Sequence, residues 1–133
     1  MEKNEVTETP VFSILIAEDD PSNYLLFEII LKRDYRLYHA NNGIEAIELF
    51  EQYRPQLILM DIKMPKMNGY EATTQIRKIS TTIPIIAITA HAFPEDKERI
   101  LNSGFNDYLS KPIKFKELQR KIQETLRSTY QNE

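Results

Sequence analysis

The chain has 133 residues, 41% of them hydrophobic and 28% charged. That is enough for one domain with its own core, and it excludes a second domain of ordinary size and a wholly disordered chain. A net charge of −3 gives no electrostatic case for wrapping nucleic acid, and the absence of cysteine excludes disulfides, thiolate zinc sites and a cysteine nucleophile.

The N-terminus is polar, with Glu2, Glu5 and Glu8 against Lys3. It lacks the basic start and apolar run of a secretory signal. No apolar stretch approaches the roughly 20 residues of a membrane span. The expectation is a cytoplasmic protein, or the cytoplasmic part of a membrane-bound one, with no direct membrane contact. Residues 1–11 read as a tail or linker, 12–129 as one domain and 130–133 as a C-terminal tail.

Short apolar runs then alternate with longer segments of helical spacing. The runs are Phe12–Ala17, Leu37–Ala40, Gln56–Met60, Ile85–Ala90 and Asp107–Leu109. This βα alternation predicts a parallel sheet covered by helices on both faces. Ile14-Leu15-Ile16 and Leu57-Ile58-Leu59 are continuously apolar, as strands buried on both sides are. Asp20-Pro21 caps and opens the first helix, with an expected apolar stripe of Leu25, Leu26, Ile29 and Ile30. Asn42-Gly43 leads into a helix with Ile44, Ile47 and Phe50 on one face. Asn68-Gly69 leads into the next, with Ala72 and Ile76 inward. Phe93-Pro94 opens a charged helix that ends near Ser103-Gly104. The last helix places Phe115, Leu118, Ile122 and Leu126 on one side and a mostly basic surface on the other.

The candidate chemistry sits where strands hand over to loops. Glu18-Asp19-Asp20 follows the first strand, Asp61 ends the third, Thr89-Ala90 ends the fourth and Lys111-Pro112 follows the fifth. Open α/β sheets bind ligands beyond the carboxyl ends of their strands, where the strand order reverses. In the order 2-1-3-4-5, the acids after strand one lie beside Asp61. Clustered carboxylates repel unless a divalent cation sits among them, and all-oxygen ligands favour Mg²⁺, Mn²⁺ or Ca²⁺. A carboxylate also serves as a nucleophile toward phosphorus. Asp61, ending the most apolar strand, is the candidate. The Lys111 ammonium and the Thr89 hydroxyl are groups suited to the charge that attack would build. Taken singly, Asp20 reads as a helix cap, and Lys63 and His91 as solvent-facing loop residues. Together and in this order, the strand-end groups read as a site.

At this point the sequence resembles the receiver domain of two-component response regulators. The resemblance runs from residue 12 to about 128. It rests on Ile14–Asp20, Leu59–Gly69, Pro84–Ala90 and Tyr108–Pro112. Asp61–Thr73 and Ile83–Ala92 are most similar to receivers fused to hybrid sensor histidine kinases. The resemblance implies a flavodoxin-like (βα)5 sandwich with a five-stranded parallel sheet of order 2-1-3-4-5. It implies that Asp61 accepts a phosphoryl group from a phosphohistidine on a histidine kinase or histidine phosphotransfer domain. Glu18, Asp19, Asp61 and the backbone carbonyl of Lys63 would hold Mg²⁺, with Mn²⁺ as an alternative. Thr89 would contact a phosphoryl oxygen, Lys111 would pair with it, and Tyr108 would be the aromatic switch. Pro112 matches the family's cis proline. Lys63 and His91 flank the path of the hydrolytic water and would tune the lifetime of the acyl phosphate. Glu18 stands where an aspartate is often found, so a reach to the metal through water is expected.

The function expected is a phosphorylation switch that catalyses its own phosphorylation and dephosphorylation without turning over an external metabolite. Two copies would pair, if at all, through the fourth helix, fifth strand and fifth helix; nucleic acid is not an expected partner. A haloacid-dehalogenase-type phosphatase needs an aspartate two residues after its nucleophile, and position 63 is lysine. A degenerate receiver acting as a phosphorylation-independent scaffold is expected to lack Asp61, Thr89 or Lys111, and all are present. A transcription factor is disfavoured because no residues follow the last helix to form a DNA-binding domain.

Overall fold

The five apolar runs become five parallel strands, and the segments between and after them become helices. The structure, a computed structural model, describes residues 11–90 and 93–130. In chain order its elements are β1 (Ser13–Ala17), α1 (Pro21–Leu31), β2 (Arg36–Ala40), α2 (Gly43–Tyr53), β3 (Leu57–Asp61), α3 (Gly69–Ile79), β4 (Ile85–Thr89), α4 (Pro94–Asn102), β5 (Asp107–Ser110) and α5 (Phe115–Tyr130). The sheet order is β2-β1-β3-β4-β5, with every pairing parallel. This is the flavodoxin-like arrangement expected. Among the described residues, no helix is long and apolar enough to cross a membrane.

Successive strand residues point to opposite faces, and the core divides accordingly. Ile14, Ile16, Leu57, Leu59, Ile86 and Ile88 pack with Phe27 and Leu31 of α1 and Leu118, Ile122 and Leu126 of α5. Leu15, Ile58, Met60, Ile85 and Ala87 pack on the other side with Ala46 and Phe50 of α2, Ala72 and Ile76 of α3, and Ile100 of α4. Each large apolar side chain so buried is worth about 1.5–3 kcal/mol. The continuous apolar runs of β1, β3 and β4 are thus explained, since both of their faces are covered.

The helix starts follow their capping residues. Asp20 Oδ1 accepts the Ser22 and Asn23 amides at 2.8 and 3.3 Å. Asn42 Oδ1 accepts the Glu45 amide at 2.9 Å. Asn68 and Glu71 form a reciprocal capping box.

The helix faces differ from expectation in three places. In α1, Leu25, Leu26 and Ile29 are exposed by 52, 41 and 64%, while Phe27 and Leu31 are buried. Nearly every residue from Leu25 to Leu31 is apolar, so spacing alone admits several faces. In α2, Ile44 is exposed and Ala46 buried. Here the helix start lies against the Met67 carbonyl, which accepts the Gly43 amide at 3.0 Å. In α5, Phe115 is exposed, and the buried line begins one turn later at Leu118.

Arg77, near the end of α3, joins several segments. Its Nε donates to the Gly104 carbonyl at 2.9 Å, and Nη1 to the Ser80 and Ile83 carbonyls at 3.2 and 2.7 Å. Nη2 donates to Asn106 Oδ1 at 2.9 Å, and that oxygen also accepts the Ile85 amide at 2.8 Å. Gly104 has φ of 103°, the left-handed region that favours glycine.

Candidate functional site

Four fully buried residues carry Asp61 to the end of β3, and its side chain emerges where the sheet stops. The loop after it is tightly held. The Gly69 amide donates to the Ile62 carbonyl at 2.9 Å. A Cβ at Gly69 would strike the Asp61 carbonyl oxygen and stand 3.0 Å from Ile62 Cα. Only glycine allows α3 to begin this close to Asp61.

Asp61 is 4% exposed. Its Oδ1 accepts the Lys63 amide at 3.1 Å, and its Oδ2 accepts the Lys111 ammonium at 2.8 Å. β1, next to β3, brings Glu18 and Asp19 alongside. Glu18, Asp19 and Asp61 each offer an oxygen within 4.8 Å of the others. Asp20 stands apart as the α1 cap, as the sequence indicated.

Glu18 is 1% exposed. Its Oε2 accepts the Asp20 amide at 3.1 Å, and its Oε1 lies 3.5 Å from Lys111 Nζ. Among the described residues, Oε1 accepts no hydrogen bond. Burial first, and then the Asp61 carboxylate, push the Glu18 carboxyl from its ordinary 4.5 up to about 7; the Asp20 amide and the Lys111 charge pull the other way. Burial works against the Lys111 ammonium, but Asp61 and Glu18 outweigh it and hold its pKa above the ordinary value. A buried carboxylate oxygen without a donor, facing two further carboxylates, suits a hard divalent cation.

Thr89 is 7% exposed and lines the cavity beside Asp61, as do Lys63 and Lys111. The Lys111 amide donates to the Thr89 carbonyl at 2.8 Å, and the Lys111–Pro112 peptide is cis. Tyr108 lies off the cavity. β4 and β5 pair Ala87 with Tyr108 and Thr89 with Ser110, so Thr89 and Tyr108 leave the same face of the sheet. Tyr108 is half-buried there, with the Lys97 and Lys121 ammoniums 5.7 and 5.6 Å from its ring centre. His91 lies outside the described residues.

Some neighbours had no signal in the sequence. His39 Nε2 meets the Glu18 carbonyl at 2.8 Å, and its ring stacks on Tyr24 at 3.7 Å. Arg99 lies over the Tyr70 ring on the cavity wall. Both contacts join elements far apart in sequence. The Asn68-Gly69 turn was readable, but not the packing of Gly69 on Asp61.

The response regulator receiver domain model matches residues 14–123. The chain belongs to that family. The polar-differentiation response regulator DivK of Brucella anthropi is 41% identical over 104 residues, covering 76% of this receiver and 85% of DivK. The sensor histidine kinase RcsC of Escherichia coli K12 is 36% identical over 109 residues, which cover 81% of this receiver but 12% of RcsC. The receiver domain of sensor histidine kinase PA1611 from Pseudomonas aeruginosa PAO1 superimposes with a TM-score of 0.81 at 41% identity, covering 88% of this chain and 98% of that one. That structure holds a magnesium ion coordinated in its active-site cleft. This chain is accordingly a receiver domain of two-component signalling, with the acidic cluster typical of the receiver magnesium site.

Proposed function

We infer that Asp61 is the phosphoacceptor of this receiver, and that a phosphohistidine on a histidine kinase or histidine phosphotransfer domain is the donor. The observation that carries this is the Asp61 carboxylate, 4% exposed and bonded to Lys111 at 2.8 Å. An Asp61 oxygen forms the new O–P bond as the donor's P–N bond breaks, and the imidazole leaves with the electron pair and takes up a proton. Lys111 and the Thr89 hydroxyl face the transferring phosphoryl oxygens and stabilise their charge. Glu18, Asp19, Asp61 and the Lys63 carbonyl are the groups that would hold Mg²⁺, or Mn²⁺ with the same preference for oxygen. When bound, the cation neutralises charge on the carboxylates and the phosphoryl group.

The switch follows from the shared face of Thr89 and Tyr108. Drawing the Thr89 hydroxyl toward the phosphoryl group vacates space into which the Tyr108 ring turns. That biases a two-state equilibrium at the surface of α4, β5 and α5. Two copies would pair through the same surface. The site acts in the cytoplasm, and the net charge of −3 argues against a nucleic-acid partner. A phosphorylation-independent scaffold has no observation in its favour.

The test is intact mass after incubation with a small phosphoramidate and Mg²⁺. One phosphoryl group should add to the protein, and none to Asp61→Asn. Full labelling of that variant would assign the acceptor elsewhere.

A further inference from the structure

Beside Asp61 a cavity of about 210 Å³ opens beneath α4. Asp61, Thr89 and Lys111, from the strand ends, line it together with Asp96 and Arg99 of α4. Asp96 and Arg99 are three residues apart and so share a helix face. The Arg99 guanidinium carbon stands 4.0 Å from the centre of the Tyr70 ring, which also lines the cavity. Tyr70 is in turn held edge-on by the buried Phe105, with ring centres 5.9 Å apart at 82°. Arg99 therefore rests on a ring of the cavity lining that Phe105 also contacts.

That resting place is a weak one, because Arg99 is exposed and an exposed cation over an aromatic ring gains little. A phosphoryl group on Asp61 would bring negative charge into the cavity. A guanidinium fork matches phosphoryl oxygens in two hydrogen bonds, which a lysine ammonium does not, and such charge-assisted bonds are stronger than the ring contact. Asp96 opposes the incoming negative charge from the same helix face, and a cation beside it offsets that opposition.

We propose that Arg99 is a phosphoryl-binding residue: when Asp61 is phosphorylated, the guanidinium leaves Tyr70 and pairs with a phosphoryl oxygen, drawing α4 toward the end of β3. This rests on Asp61 being the phosphoacceptor. Tyr70 then acts as the resting-state holder of Arg99, and the two residues have opposite effects on the phosphorylated state. Removing Arg99 weakens that state; removing the Tyr70 ring frees Arg99 and strengthens it.

Beryllium fluoride with Mg²⁺, a stable mimic of a phosphoryl group on a carboxylate, provides the probe. In the wild-type protein, the Arg99 Nε–H resonance should leave its ring-shifted position as the mimic binds. The apparent affinity for beryllium fluoride should fall about fivefold in Arg99→Ala and rise about twofold in Tyr70→Leu, as expected when a charge-assisted bond outweighs an exposed ring contact. Lys78→Ala removes an equal charge outside the cavity and should leave the affinity unchanged. Binding by the wild type with an unmoved Arg99 resonance would overturn the proposal alone. So would an equal loss in Lys78→Ala, since net charge would then explain it. No binding by the wild type, with Asp61 unlabelled by a phosphoramidate, would overturn the phosphoacceptor reading and this proposal together. The wild-type resonance decides the matter even if a variant fails to fold.

Discussion

Lys111 and Asp61 are 50 positions apart in sequence and joined by a 2.8 Å hydrogen bond between Nζ and Oδ2. The bond crosses from the end of β5, at the sheet edge, to the end of β3 at its centre. The same ammonium lies 3.5 Å from Glu18 Oε1. Lys111 thus partly neutralises the carboxylates a metal would occupy, and it faces the place where phosphoryl charge would gather.

These two roles predict opposite effects in one variant. Lys111→Ala should bind Mg²⁺ more tightly, by up to about tenfold or ~1.4 kcal/mol, because a competing cation is gone. Its labelling by a phosphoramidate should be slower at saturating Mg²⁺. Isothermal titration and the labelling rate measure the two separately. Weaker Mg²⁺ binding in this variant would refute the competition.

The raised pKa of Glu18 gives a pH dependence. The folded, metal-free domain keeps this proton up to about pH 7, whereas an unfolded chain releases it near 4.5. The folded state binds more protons within that window, so this contribution to stability is full below pH 4.5 and is lost as pH rises through about 7. Mg²⁺ requires the ionised carboxylate and competes with the proton. Apparent Mg²⁺ affinity should rise between pH 6 and 8, with proton release at pH 6, and the rise should flatten in Glu18→Gln. An unchanged slope in Glu18→Gln would place the titrating group elsewhere.

Lys63 is expected to tune the lifetime of the proposed acyl phosphate. It is exposed on the cavity wall, and its amide is tied to Asp61 Oδ1 at 3.1 Å, so its stem leaves from beside that carboxylate. If Asp61 carries the phosphoryl group as proposed, the stem would obstruct an in-line water and the ammonium would pair with a phosphoryl oxygen. Lys63→Ala should shorten the half-life of the phosphoprotein after the donor is removed, at fixed pH and Mg²⁺. A clear lengthening would show that Lys63 assists hydrolysis.

Gly69 should tolerate no side chain. The added methyl of Gly69→Ala meets backbone at Asp61 and Ile62, and backbone cannot turn aside as a flexible side chain can. Overpacking of this kind costs about 1–3 kcal/mol. Thermal unfolding should show that loss, and Mg²⁺ binding should weaken as the Asp61 loop shifts. A variant with wild-type stability would mean that α3 can slide away from β3.

Much of this molecule was legible before its structure. Unbroken apolar runs such as Leu57-Ile58-Leu59 have one common explanation, a strand covered on both faces. Asp20 reads as a cap and Asn42-Gly43 and Asn68-Gly69 as helix entries, and in the structure all three side chains cap their helices by contacts within three residues. The burial of α1 was only partly legible, since of the expected stripe Leu25, Leu26, Ile29 and Ile30 only Ile30 packs against the core. Leu25, Leu26, Phe27, Ile29, Ile30 and Leu31 are all apolar, and packing against β1, β3 and α5 selects Phe27 and Leu31. Glu18, Asp61, Thr89 and Lys111 were legible because each sits at a strand end, and the strand order then brings them together. Arg99 and Tyr70 carry no such mark. One is an exposed charge in a charged helix and the other follows a turn, and only the packing of α3 beside α4 makes them neighbours.

The hydrogen bonds of Arg77 bear on how α4 can move. They grip the Gly104 carbonyl and Asn106, immediately beyond the C-terminal end of that helix, and tie both to α3 and the start of β4. A rod clamped at one end has its fulcrum there. Displacement set off at Thr89 would be smallest beside Gly104 and greatest at Pro94, so α4 would work as a lever swinging about its C-terminal foot. A small movement of one hydroxyl would be read at the surface with gain, and Arg77 would set the pivot from which that gain is measured.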